Sequence, residues 1–412
     1  MTRVACIGNM NNNMFSLVRY LRNRNIDAHL LLLNDETAHF HPSCDAFDLD
    51  YQSYTIQLPW GDPRSFRNRS AHAINHDLVP YDVLIVCGFA PAFIEKAGRR
   101  VDLFVPYGTD VFDHPFITFR QGLIPGLIAL RNQALHRAQK RGIKNAACIN
   151  FPGTPFYQRF HKKLRITDKT CDFGLPMVYT NIYSPEKIVD GYHKSAWYHI
   201  YKKIREANEL VIFHASRHIW KTHIEYSDKG NDKLIKGFAK FVQAHPTGAR
   251  SCLILFEYGV DVQASRSLIR TLGIENRVQW LPLMDRKELM IGLSLSDISA
   301  GEFGCGDIGG GTVWESLAMG KPVFHYLSKK VVNSLGTREF HPLVNVKTAE
   351  DIDSTLRDFC NGSDQYRNIG QKGQEWYENA IPKSLDTYEA VIAAIRSGGG
   401  LLDSIIRESS FY

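Results

Sequence analysis

The chain has no run approaching the roughly 20 uncharged apolar residues of a membrane-spanning helix, which argues against an integral helical membrane protein. No CxxC pair occurs among its eight cysteines. Cys6, Cys44, Cys87, Cys148, Cys171, Cys252, Cys305 and Cys360 are scattered, mostly within or beside apolar runs, so neither a disulfide framework nor a zinc site is expected. There is no low-complexity tract and no strong charge excess: charged residues make up 22% and the net charge is +6. That balance demands no nucleic-acid partner, although it permits contact with phosphates or anionic lipids. The N-terminus, MTRVACIGNM, reads as a first strand that turns into a polar loop and not as a secretory leader. The cytoplasm is the expected location.

What is present is 412 residues with 44% hydrophobic content, enough for two packed domains. Short apolar runs alternate with helical spacing. RVACIG, AHLLLL, DVLIVCG, DLFVPYG and AACIN read as strands, with helices such as MFSLVRYLRNRN between them. Such alternation predicts an α/β fold with parallel sheets covered on both faces. The pattern weakens from Thr154 to about His199, which reads as a connecting region. It resumes with the strands ELVIFHAS, SCLILFEYG, RVQWLPL, DISAG and PVFHYL and their intervening helices, a second doubly wound unit. From about Thr348 the chain reads as helical, ending in the amphipathic SLDTYEAVIAAIRS.

Within Ser296 to Leu327 a strand, a glycine-rich turn, a helix and another strand follow one another. Gly309, Gly310 and Gly311 lie between Asp307 and Glu315. A bare backbone leading into a helix N-terminus presents N–H groups and a positive dipole end to an anion. Flanking carboxylates add acceptors for sugar hydroxyls.

These residues resemble the signature of GT-B glycosyltransferases, specifically the retaining family 4 group. Its Glu, seven residues, Glu, then a helix ending in Gly-x-Pro-Val reads here Asp307-IGGGTVW-Glu315-SLAMGKPV, with aspartate in place of the first glutamate. Ser216-Arg217 at a strand end and Lys229-Gly230 at a helix start resemble the family's paired cations, with THIEYSD inserted and Lys221 as a rival to Lys229. Pro282-Leu283-Met284 matches the turn that meets the nucleotide base. Gly8-NMNNNMF and Val105-PYGTDVF resemble, more weakly, the acceptor-side segments, with Tyr107 in the position of a histidine.

The resemblance implies two tandem Rossmann-like domains with a cleft between them: an acceptor domain over 1–190, a nucleotide-sugar domain over 205–383, and a C-terminal helix over 384–412 packing back on the first. It implies transfer of a sugar from a nucleotide-sugar donor to a glycan or lipid-linked acceptor, with retention and without a metal or other cofactor. A bacterial surface polysaccharide is the implied product. Asp307, Arg217 and Lys229 take the catalytic roles. Glu315, Gly309, Gly310, Gly311, Thr312 and Leu283 hold the donor, with Glu302 a rival to Asp307. Asn11, Asn12, Asn13, Tyr107 and Asp110 stand on the acceptor side. Two other classes stay open, a non-catalytic sugar-binding relative and a nicotinamide-dependent oxidoreductase; related epimerases are a further enzyme alternative.

Other signals are weaker. Gly304-CGDI-Gly309 fits a dinucleotide fingerprint, but Ser328, Lys329 and Lys330 stand where an acidic ribose ligand belongs. Asp48-Leu49-Asp50 lies in a polar loop and reads as chance. His214, His218 and His223 lack the partners of a metal site. Residues 116–145 mix Phe, Leu and Ile with Arg120, Arg131, Arg137, Lys140, Arg141 and Lys144. Such a stretch suits either a core-packing helix with a solvated basic face or contact with the inner membrane surface.

Overall fold

The computed structural model describes all residues except 1, 35, 37, 118–122, 223–226, 336–339 and 409–412. His223 and most of the THIEYSD insertion therefore lie outside the described residues, as do 118–122 of the basic segment and the extreme C-terminus. The chain divides into two compact units, Met1–Tyr179 with Ala380–Tyr412, and Thr180–Asn379.

The first unit is built on a parallel sheet of β1 (Arg3–Ile7), β2 (Asp27–Leu32), β3 (Thr55–Gln57), β4 (Val83–Val86), β5 (Leu103–Phe104), β6 (Cys148–Asn150) and β7 (Thr170–Cys171). Its order is β3-β2-β1-β4-β5-β6-β7. Val4 to Ile7 and all of β4 are buried, as expected for strands covered on both faces. The second unit has β8 (Leu210–His214), β9 (Ser251–Phe256), β10 (Val278–Leu281), β11 (Ile298–Ala300), β12 (Val323–His325) and β13 (Val344–Asn345), in the order β10-β9-β8-β11-β12-β13. The helix Asn231–Ala244 lays Leu234, Ile235, Phe238 and Phe241 on Ile212, Leu253 and Leu255. These apolar positions fall on one helical face.

In both parallel sheets the strand order reverses at one point, between β1 and β4 in the first unit and between β8 and β11 in the second. At such a point the connections leave the carboxyl ends of neighbouring strands toward opposite faces of the sheet, the place where open α/β sheets take their ligands.

The region expected to be a connector is more ordered than its composition suggests. It contains the helix Pro155–Leu164 and the edge strand β7. The helix starts on Thr154-Pro155, a residue pair suited to a helix N-terminus. The last long helix, Ser363–Arg396, carries Pro382 inside it, three residues beyond the unit border at Asn379. Past that proline it joins the first unit: Tyr388 Oη receives Asn150 Nδ2 at 3.0 Å, and Arg24 reaches Asp386 and Glu389 at 2.6 and 2.8 Å.

Candidate active site

In the second unit the site grows from the carboxyl ends of β8 and β11. His214 closes β8 and is fully buried. Its Nδ1 donates to the Ala300 carbonyl (2.9 Å), so Nε2 accepts from Asn231 Nδ2 (2.9 Å). Burial lowers this imidazole to about 4, and it stays neutral. Asn231, also fully buried, donates to the Arg217 carbonyl and accepts from the Ile219 amide, fixing the turn that presents the exposed Arg217 side chain. His218 is tied instead to Ser265 (2.8 Å). Among the described residues no group of His, Cys, Asp and Glu could hold a metal ion. Lys221 is exposed, and its amide is one of three that donate to Asp261.

Lys229 ends the segment before the helix Asn231–Ala244. Its Nζ lies 2.5 Å from Glu302 Oε1. The two backbones are also joined, because the Phe303 amide donates to the Lys229 carbonyl (2.8 Å). Gly230 stands at φ +61°, and a Cβ there would lie 2.7 Å from the Phe303 carbonyl carbon. Glycine is needed for both conformation and contact. Burial raises the Glu302 carboxyl, but the Lys229 ammonium, with His325 and Arg217, outweighs it and holds the group below the usual carboxylate range.

The glycine loop closes over this pair. The helix Gly311–Ala318 begins after Gly310, whose missing Cβ would stand 3.1 Å from Glu302 Oε1. Thr312 Oγ1 is 3.4 Å from Ser216 Oγ, next to Arg217. Ser216, Lys229, Glu302, Gly310 and Thr312 are thus brought together, with Arg217 close enough to act on the Glu302 charge. A ligand anion here meets two cations and a helix N-terminus.

Asp307 is held differently. Its Oδ1 accepts the next amide, that of Ile308 (2.9 Å), and its carbonyl accepts His325 Nε2 (2.8 Å). His325 Nδ1 in turn accepts the Glu302 amide (3.0 Å). One neutral imidazole from β12 therefore spans both ends of the 302–307 loop, and burial keeps its pKa low. It is Glu302, not Asp307, that meets Lys229. Gly309, at φ +102°, packs against Val313 and His325, and Leu283 is exposed in the turn after β10.

Glu315 is buried, with Oε1 3.0 Å from Arg286 Nε at the start of the helix Arg286–Ser294. Sequence reasoning assigned Glu315 a ligand role and missed this partner. Asn231, His325 and Arg286 gave no local signal, because each acts through a contact distant in the chain.

The first unit has its own network where β1 and β4 diverge. Asn9, fully buried, donates from its amide to Glu36 Oε1 (2.6 Å) and from Nδ2 to Asn12 Oδ1 and the Phe40 carbonyl. Asn11 and Asn12 adopt left-handed conformations (φ +53° and +57°). Asn12 and Asn13 are buried, so the asparagine run is a packed helix entry rather than a solvated turn. Asp110 is also fully buried and accepts the amides of Gly88, Tyr107 and Gly108 at 2.9–3.3 Å. Burial pushes its pKa up to about 7 against those donors. Its carboxylate staples the β4 and β5 loops together, and Tyr107 stands half-buried beside Gly88.

A pH test follows for the Lys229–Glu302 pair. A carboxylate with a depressed pKa contributes stability above its unfolded value, which is lost as the pH falls through the folded value. Glu302→Gln is expected to be about 1–2 kcal/mol less stable than wild type near pH 7. The gap should close as the pH drops below the ordinary carboxylate range. Melting curves of both proteins from pH 7 to pH 3 check this, and a constant gap contradicts the ion pair.

No protein-family model matches the sequence, nor does any curated protein sequence. Solved structures match by shape. Anabaena HepE, in complex with UDP and glucose, has a TM-score of 0.62 at 14% identity, covering 95% of this chain and 100% of its own. Sucrose-phosphate synthase from Thermosynechococcus elongatus gives 0.60 at 13% identity, covering 96% and 100%. WaaG, a glycosyltransferase involved in lipopolysaccharide biosynthesis, gives 0.55 at 12% identity, covering 98% and 100%. At such identities the likeness is one of fold: two tandem Rossmann-like α/β units, the GT-B fold class.

Proposed function

We propose that this protein is a glycosyltransferase that moves a sugar from a nucleotide-sugar donor to a glycan or lipid-linked acceptor. The observation that carries the reading is the convergence of Arg217, Lys229, Glu302 and the Gly310–Thr312 helix start where β8 and β11 part. The binding of UDP and glucose by a protein of the same fold adds support.

In this reading the second unit holds the donor. Arg217, Lys229 and the helix N-terminus face the diphosphate, where negative charge grows as the anomeric C–O bond breaks. That electron pair leaves with the phosphate. The acceptor hydroxyl oxygen bonds the anomeric carbon on the same face, and its proton passes to the departing phosphate oxygen, so configuration is retained. Charge is met by side chains and backbone dipoles, and the reading calls for no metal. Glu302 or Asp307, with the amides of Gly309, Gly310 and Gly311, holds sugar hydroxyls. Glu315, oriented by Arg286, accepts from the ribose, and Leu283 lies by the base. The first unit takes the acceptor: Asn11 and Tyr107 stand near it, while Asp110, Asn12 and Asn13 shape the loops. The product class is a cell-surface polysaccharide made on the cytoplasmic side.

The test is release of nucleoside diphosphate from a panel of UDP-, GDP- and ADP-sugars by the purified protein. Turnover of one donor class, at a rate raised by added glycan acceptor, supports the reading. Binding without turnover, with or without acceptor, leaves a sugar-binding protein of the same fold.

A further inference from the structure

His325 is a polar residue in an apolar strand run, PVFHYL, and it is 1% exposed. The loop that carries Glu302 and Asp307 is wound around it. Strands β11 and β12 pair in parallel through Ser299 with Val323 and Ala300 with Phe324. Past Ala300 the pairing gives way to bonds between the loop and the chain that continues β12. The Gly301 amide donates to the Phe324 carbonyl (2.8 Å), the Tyr326 amide to the Glu302 carbonyl (2.9 Å) and the Ser328 amide to the Gly306 carbonyl (3.0 Å). The imidazole fills the inside of this wrap. A Cβ on Gly301 would lie 2.8 Å from its Nδ1, and one on Gly309 3.4 Å from its Cε1.

The two ring nitrogens have opposite tasks. Nδ1 accepts the Glu302 amide (3.0 Å) and so carries no proton, while Nε2 donates to the Asp307 carbonyl (2.8 Å). A neutral imidazole offers that acceptor and that donor at fixed separation on one rigid ring. Asparagine can place an oxygen near the Nδ1 position and glutamine a nitrogen near the Nε2 position, but neither spans both. The cations are fixed by other contacts. The turn that presents Arg217 is held by Asn231, and Asn231 by His214 (2.9 Å). The Lys229 carbonyl is held by the Phe303 amide (2.8 Å). These contacts are made without His325.

We propose that His325 is the positioning residue of the sugar subsite: it holds Glu302 and Asp307 at the spacing the transferred sugar needs and touches no substrate itself. The inference rests on the transfer reading and divides its donor site in two. The imidazole that closes β12 orders the carboxylates that meet sugar hydroxyls. The His214–Asn231 pair at the end of β8 orders Arg217, which meets the diphosphate. Releasing the 302–307 loop shifts the sugar relative to the breaking anomeric bond, and a misplacement of about 1 Å costs about a hundredfold in rate. The turn bearing Arg217 stays in place, so the diphosphate keeps its cation.

The test compares the full chain with its His325→Phe, His325→Asn and Asn231→Ala variants. Two quantities are read for each: turnover of the nucleotide sugar that wild type uses, and calorimetric affinity for the matching nucleoside diphosphate. His325→Phe keeps a ring and removes both bonds. Its turnover is expected to fall about a hundredfold while diphosphate affinity stays within about twofold of wild type. His325→Asn keeps an acceptor for the Glu302 amide and should lose only about tenfold. If the phenylalanine variant does not fold, the asparagine variant carries the same comparison. Asn231→Ala should instead weaken diphosphate binding. Turnover and diphosphate affinity falling together in the His325 variants would make the ring a general support of the site. Turnover equal to wild type would leave it without a part in transfer. Either result overturns the proposal and leaves the transfer reading standing. A wild type that turns over no nucleotide sugar removes the transfer reading, and this inference with it.

Discussion

Lys229→Ala is expected to lower turnover of the nucleotide-sugar donor at least about a hundredfold, the loss typical when a group that stabilises transition-state charge is removed. The same change strips Glu302 of its ion-pair partner, so some destabilisation accompanies it. Arg217→Ala separates the two effects. Arg217 is exposed; its carbonyl accepts from Asn231, and the side chain's contact with the Tyr258 ring, 5.9 Å from the guanidinium carbon to the centroid, is a weak surface one. Its loss should leave the melting temperature nearly unchanged while turnover falls by a similar factor. If Arg217→Ala retains full turnover, the diphosphate lies elsewhere.

The second large effect concerns Arg286 and Glu315. Their side chains are 4% and 9% exposed, and they meet at 3.0 Å. Arg286→Met leaves a buried carboxylate without that cation and should cost about 3–5 kcal/mol, read as a drop in melting temperature. Pairing it with Glu315→Leu removes both charges and should recover most of that stability. Donor affinity should stay lost in the double variant if Glu315 accepts from the ribose as proposed. Recovery of both stability and affinity would make Glu315 a purely structural carboxylate.

These pairs mark where sequence reasoning ended. The two parallel sheets were legible because both-face burial writes continuous apolar runs such as VACI and CLILF. The glycine loop was legible because Gly309–Gly311 stands between a strand and an amphipathic helix. Which carboxylate faces Lys229 was not. Spacing to Glu315 assigned Asp307 the first acidic position of the signature, with Glu302 a rival, and named no carboxylate partner for the lysine; the loop is set by His325, which from sequence is one more residue of a buried strand. The imidazole spans Glu302 and Asp307 only after β12 pairs with β11. Arg286 was hidden for the same reason: a helix-start arginine reads as solvated until tertiary packing buries it. Asp110 was placed on the acceptor side by resemblance; that its carboxylate accepts three backbone amides from two different strand ends was not legible in the sequence. Strands β7 and β13, of two residues each, are too short to write a periodicity.

The donor site itself is tested most directly by calorimetric titration of the purified protein with UDP, GDP and ADP in the absence of divalent metal. Saturable binding of one of the three, lost in both Arg217→Ala and Lys229→Ala, is the predicted result. Absence of binding by any of them, or binding that both substitutions leave intact, would contradict a nucleotide site at the parting of β8 and β11.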